Sequence, residues 1–275
     1  MEIKMPQKHT DERKDKIFDL IVRSYIETAE PVGSRTLSRR SDLKLSPASI
    51  RNVMADLEEE GLLKHPHTSA GRVPTDKGYR YFVDRLMKPE ELTKNEKTWV
   101  RTEVGKVRTI EGLVEKVSKV ISELTDNAAL IYIKNLKRVS FLNYLLEELI
   151  EAEKLERFLE EEPELFIEGA FRIFEQPEFH DLGKMRLLLR AFDDKYEFLQ
   201  VFINDLNQEG VQVHIGHENP TGQLDEVSLV LKDCYLSGIP IGSVAVVGPT
   251  RMKYPKVVAV VEYVADSVTE AIQKF

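Results

Sequence analysis

Between Ser46 and Gly78 the chain reads SPASIRNVMADLEEEGLLKHPHTSAGRVPTDKG, and the order of its start and stop signals leaves few ways to fold. Ser46 is a favoured N-cap, and Pro47 sits at the first helical position, where its missing N–H costs nothing. Ile50, Val53, Met54 and Leu57 recur at helical spacing and make one apolar stripe. Gly61 stops the helix where a left-handed residue is needed. Leu62 and Leu63 then begin a short strand, Lys64–Gly71 form a tight basic loop, and Arg72-Val73-Pro74 return. Thr75 or Asp76 caps a following helix, Asp76–Leu86, with Tyr79, Phe82, Val83 and Leu86 inward. Upstream, Asp11–Thr28 reads as a helix with Ile17, Leu20, Ile21 and Tyr25 along one side, broken at Glu30-Pro31-Val32-Gly33. Ser34–Ser41 is a short basic helix anchored by Leu37, and Asp42–Leu45 is the turn that follows. A short helix, a turn, a capped helix and a hairpin make the winged helix-turn-helix pattern.

The polar face of the Ser46–Glu60 helix then decides the chemistry. With Ile50 inward, Ala48, Arg51, Asn52 and Ala55 face outward, and Ser49 lies at the edge. Small residues allow close approach to base edges, while Arg pairs with guanine and Asn with adenine in the major groove. The expected base-reading set is therefore Ala48, Ser49, Arg51 and Asn52. Asp56 and Glu58–Glu60 would repel phosphates, so the N-terminal half is expected to enter the groove. Phosphate contacts are expected from Arg35, Arg39, Arg40, Lys77 and Arg80, and from His65, His67, Thr68, Ser69 and Arg72 of the wing. Arg72 is also suited to a minor groove. The plain alternative for each is a solvated polar face. His65-Pro66-His67 offers two histidines with no third ligand at a suitable spacing, so no metal site is expected.

A net charge of −8 is at first sight wrong for a nucleic-acid partner, but it is unevenly spread. Residues 1–88 hold 17 Lys+Arg against 14 Asp+Glu, and residues 89–275 hold 22 against 33. The acidity belongs to the second part, while phosphate attraction depends on where Lys and Arg sit locally. No apolar run is long enough to span a membrane and the N-terminus lacks a signal-peptide core, so a cytoplasmic protein is expected. The single Cys234 excludes an intrachain disulfide and a CxxC motif.

Beyond a polar linker at Pro89–Lys97, a helix capped by Thr93 runs to about Val107. A second carries Ile110, Leu113, Val114, Val117, Ile121 and Leu124 on one side. Asn127–Ile133 reads as a buried strand, Phe141–Glu162 as an acidic helical stretch, and Gln176-Pro177-Glu178-Phe179 as a turn. Leu182–Ala191 and Tyr196–Glu209 read as helices. Strands are expected at Val211–Ile215, Val227–Leu231, Gly242–Val247 and Val257–Tyr263, before a helix at Asp266–Phe275. Strands with helices on one side give an α+β domain. His214 and His217 do not share a helical face, and no nucleophile–base pair or ligand set is visible, so neither an enzyme nor a cofactor is expected. Gly248-Pro249-Thr250-Arg251 reads as a structural turn, with anion binding as its alternative. Cys234 reads as a small buried hydrophobe.

Three N-terminal stretches, YIETAEPVGSRTL (Tyr25–Leu37), LSPASIRNVMADLEEEGLL (Leu45–Leu63) and HPHTSAGRVPTDKGYRYFVD (His65–Asp84), closely resemble the heat-inducible transcription repressors, HrcA. The resemblance resumes in LFIEGAFRIFEQPEF (Leu165–Phe179), VHIGHEN (Val213–Asn219) and GSVAVVGPTRMKYPKVV (Gly242–Val258). It implies a dimeric repressor of chaperone genes that binds an inverted-repeat operator, CIRCE, with help from the GroEL chaperonin. It also implies a GAF-like sensing domain carrying an inserted dimerising segment. Here only about 30 residues separate Ile133 from Leu165, so this resembles a shortened member. The expected organisation is a winged-helix domain at 1–88, a helical connector at 89–126, and a GAF-like sensing and dimerisation domain at 127–275 with a reduced helical insertion near 140–162. A ligand- or protein-sensing module with weak DNA binding is the alternative.

Overall fold

The computed structural model describes residues 8–40, 45–67, 70–107, 109–134, 164–220 and 222–273. The turn expected at Asp42–Leu45, apart from Leu45, and the acidic helical stretch with its reduced insertion lie outside the described residues, as do Thr68 and Ser69. Contacts divide the chain into two units, one of Met1–Lys88 with Thr250–Tyr254 and one of Pro89–Pro249 with Pro255–Phe275.

The first unit begins with α1 (Lys8–Thr28), α2 (Ser34–Arg40) and α3 (Pro47–Glu59). Strands β1 (Leu63–Lys64) and β2 (Val73–Pro74) pair antiparallel, and α4 (Asp76–Tyr81) continues into a π-helical turn over Phe82–Leu86. Ser46 Oγ accepts the Ser49 amide at 3.1 Å and so caps α3. At the other end Gly61 has φ +74°, its amide reaches Glu58 O, and the Leu62 amide reaches Leu57 O, both at 2.9 Å. That double closure satisfies the last carbonyls of α3 and turns the chain sharply into β1. Ile50, Met54 and Leu57 are buried, and Val53 is half-buried. Along α1 the buried residues are Ile17, Phe18, Ile21, Val22 and Ile26; the expected Leu20 and Tyr25 lie at the edge. The stripe is rotated because Phe18 packs edge-on against Tyr81 and takes the central place. Leu37 is buried, as its anchoring role requires.

The second unit contains α5 (Lys94–Gly105), α6 (Ile110–Thr125), β3 (Ala128–Ile133), β4 (Glu164–Glu168), α7 (Ala170–Phe174) and a 3-10 turn at Pro177–His180. It continues with α8 (Leu182–Asp194), α9 (Tyr196–Asp205), β5 (Gln212–Ile215), β6 (Val227–Leu236), β7 (Ile239–Pro249) and most of α10 (Tyr254–Ile272). The five strands form one antiparallel sheet in the order β4-β3-β7-β6-β5. The β6–β7 hairpin turns at Ser237 (φ 50°) and Gly238 (φ 81°), the two left-handed residues a tight two-residue turn demands.

Helices cover both faces of this sheet, where the sequence reading expected one. Ala128, Leu130 and Tyr132 pack with Phe179, Leu188, Phe198 and Phe202. Alternation sends Ile131 and Ile133 to the opposite face, which carries α6 and α10. The expected strand at Val257–Tyr263 is instead the first half of α10. Its β-branched run invited the strand reading, but Val257, Val260, Val261, Val264 and Val268 also recur at helical spacing, and all are buried. Strand β4 and the short α7 were not expected at all. Among the described residues no helix is long and apolar enough to cross a membrane.

Candidate nucleic-acid interface

Capping by Ser46 and Pro47 starts α3 with its polar face outward. Ala48, Arg51 and Asn52 are exposed there; Ser49 and Ala55 are half-buried, with Ser49 Oγ 3.0 Å from Ser46 Oγ. Arg35 and Arg39 are exposed on α2. Among the described residues, no hydrogen bond or ion pair engages the side chains of Arg35, Arg39, Arg51 or Asn52. An exposed guanidinium without an internal carboxylate keeps its full capacity for an outside acceptor.

A cleft of about 410 Å³ separates α2 and α3 from the hairpin. Val32 and Met54 give it an apolar part, and Arg35, Arg51, His65 and Arg72 bring four basic side chains to its walls. The expected residues therefore divide into groups. Arg35, Arg51, His65 and Arg72 converge on the cleft. His67 is exposed at the hairpin tip, where its carbonyl accepts the Ala70 amide at 3.0 Å. Lys77 Nζ instead donates to Glu60 O at 2.8 Å, at the C-terminal end of α3, and Arg80 pairs with Asp84 at 3.1 Å along its own helix. The side chain of Arg40 lies outside the described residues, with Thr68 and Ser69.

Arg72 differs from the arginines of α2 and α3. Its Nη2 is 2.7 Å from Glu58 Oε2, its Nη1 is 2.8 Å from His65 Nδ1, and its side chain is only 16% exposed. Glu58 is thus engaged by a cation, although its sequence position suggested only phosphate repulsion. Glu60 is engaged too, by Lys14 Nζ at 2.8 and 3.0 Å. Local sequence carries no signal for either pairing, because the partners come from other elements.

The second unit arranges its polar groups differently. His214 Nε2 bonds Asp205 Oδ2. Asp233 accepts Ser243 Oγ and the Asn207 amide, each at 2.6 Å. Burial pushes the Asp233 carboxyl above its ordinary range, against those two hydrogen bonds. Burial likewise drives the Cys234 thiol up to about 12, so it stays protonated and unreactive near neutrality. Within the first unit, to which Thr250–Tyr254 belong, Arg251 Nη1 donates to Ile26 O at 3.1 Å and places a cation on the closing carbonyls of α1. Among the described residues no three His, Cys, Asp or Glu side chains gather as a metal site.

Comparison with known proteins bears on both units. The family described as HrcA protein C terminal domain matches residues 133–258. The heat-inducible transcription repressor HrcA of Pelotomaculum thermopropionicum is 32% identical, over 96% of this chain and 97% of its own. That of Moorella thermoacetica is 33% identical, over 96% and 98%. The first alignment runs over 341 positions against 275 residues here, so this relative carries segments that this chain lacks. A crystal structure described as a hypothetical protein at 2.2 Å resolution shares the fold, with a TM-score of 0.69 at 23% identity over 95% of this chain and 98% of its own. The chain belongs to the heat-inducible transcription repressor HrcA family.

Proposed function

We propose that the protein represses transcription of heat-shock chaperone operons by occupying a CIRCE-type inverted repeat as a dimer. Residues 1–88 act as a winged-helix head, 89–126 connect, and 127–275 form a GAF-like domain that senses and dimerises. The N-terminal half of α3 enters the major groove, where Arg51 and Asn52 read bases and Ala48 and Ser49 allow close approach. Arg35, Arg39 and Arg40 hold phosphates, joined by Lys77 and Arg80, and the Lys64–Arg72 wing grips the adjacent groove. Heat unloads the operator by weakening the dimer or by withdrawing GroEL-type chaperonin support.

The observation that carries this reading is that Arg51 and Asn52 are exposed and, among the described residues, unengaged, on a capped helix beside a cleft with basic walls. The test is fluorescence anisotropy on a full inverted repeat, a single half-site and a scrambled duplex, each at two salt concentrations. Preference for the full repeat over the half-site supports the dimeric repressor. Equal binding to all three that collapses with salt reports electrostatic attraction alone and overturns it.

A further inference from the structure

The hairpin beside α3 has only two residues in each strand, too few to hold itself in place. Burial of Leu63 and Val73 anchors its strands to the core, and the polar ties that join it to α3 and to the segment ahead of α2 are concentrated at Arg72. The backbone of Arg72 exchanges two hydrogen bonds with Val32, ahead of α2, both at 2.9 Å. Its neighbour Gly71 lies so close to that segment that a Cβ would fall 2.4 Å from Val32 O. The guanidinium then spans from Glu58 on α3 to His65 after β1. A guanidinium only donates, so His65 Nδ1 accepts, which leaves the ring's Nε2 for a second partner. That Nε2 lies 3.9 Å from the same Glu58 oxygen, so one carboxylate faces both partners. Three stretches of chain meet through one side chain that is far less exposed than Arg35, Arg39 or Arg51.

We infer that Arg72 is a positioning residue, which with Glu58 and His65 sets the spacing between α3 and the hairpin and so the register in which the two engage DNA. The inference rests on the DNA-binding reading above and changes the part Arg72 plays in it. A charge-assisted bond on a half-buried pair holds geometry well, and the register of two contacting elements decides whether both meet the duplex together. Glu58 then has a purpose on a surface that faces phosphates.

The sign of one substitution separates this role from direct contact. Removing a carboxylate beside DNA tightens binding by simple electrostatics, whereas removing the brace weakens it. For Glu58→Gln, the brace predicts about tenfold weaker binding to the inverted repeat with little change on a scrambled duplex. It also predicts about tenfold faster amide exchange at Lys64 and Val73 in the free protein. Arg72→Lys reproduces the loss, because a point ammonium lacks the planar fork that spans Glu58 and His65. The reversed pair, Glu58→Arg with Arg72→Glu, recovers part of it. Equal or tighter binding by Glu58→Gln with unchanged exchange, beside loss on both duplexes for Arg72→Ala, overturns the brace and makes Arg72 a phosphate contact. If the wild-type chain does not prefer the repeat at all, the DNA-binding reading fails. The exchange measurement then decides the brace alone, and unchanged exchange in Glu58→Gln overturns it.

Discussion

Arg51 and Lys256 are both cations on helices, and the two units treat them in opposite ways. Lys256, on α10 of the second unit, is 15% exposed and lies 2.5 Å from Glu96. Lys184–Glu226 and Lys232–Asp266, each at 2.7 Å, repeat the pattern in that unit. Arg51, on α3 of the first unit, is exposed and meets no carboxylate among the described residues. An ion pair spends a charge on fixing elements in place, and an open guanidinium keeps it for a partner. The contrast continues inside the first unit, where Glu58 near the C-terminal end of α3 and Glu60, its C-cap, are held by Arg72 and Lys14. Open charge and paired charge are separated along one helix and its cap.

The comparison can be pressed in order of expected effect. Phe202 is fully buried and stacked on Tyr132 at 5.3 Å, so Phe202→Ala should cost the second unit about 3–5 kcal/mol. Trp99 lies on α5 of that unit, and its fluorescence in urea reads the change; a loss below about 1 kcal/mol would contradict the packing of that sheet face. In the first unit, a Cβ at Gly78 would lie 2.2 Å from Leu62 O. Gly78→Ala should therefore cost about 1–3 kcal/mol, read as accelerated amide exchange in α1.

The engaged charges give smaller effects. The Lys256 ammonium, with the Thr93 amide, pulls the Glu96 carboxyl from an ordinary 4.5 down to about 2. A depressed carboxyl stabilises above its unfolded pKa and loses that contribution as pH falls through the folded one. Glu96→Gln should thus lower stability by about 1 kcal/mol above pH 4.5, with the gap closing toward pH 2, as followed by thermal unfolding across pH. A gap that widens on acidification would contradict the pairing. Lys14→Ala should cost the first unit no more than about 0.5 kcal/mol, because Glu60 is 46% exposed. Chemical denaturation at two salt concentrations measures it.

What the sequence made legible was local. Ser46, Pro47 and Gly61 mark the ends of α3 because caps act within one turn of chain. The outward face followed from spacing, and Ala48, Arg51 and Asn52 are exposed as that spacing requires. Long-range pairing was not legible. Glu58 and Arg72 are 14 residues apart and meet only because the hairpin folds back, and nothing in either neighbourhood announces it. Val257–Tyr263 misled because β-branched residues satisfy a strand pattern and a buried helical stripe equally well; the tertiary context of α10 decided it. The pairing of His214 with Asp205, at the end of α9, had no signal in the local sequence either.

The central claim is that the open charge of α3 reads sequence. It is tested most directly by measuring, for the wild type and for Arg51→Ala, the ratio of affinities for the inverted repeat and a scrambled duplex at one salt concentration. The account predicts a loss of about 1–3 kcal/mol on the repeat and much less on the scrambled duplex, so the ratio falls. Equal losses on both duplexes would make Arg51 a phosphate contact and contradict the assignment of base reading to the N-terminal half of α3.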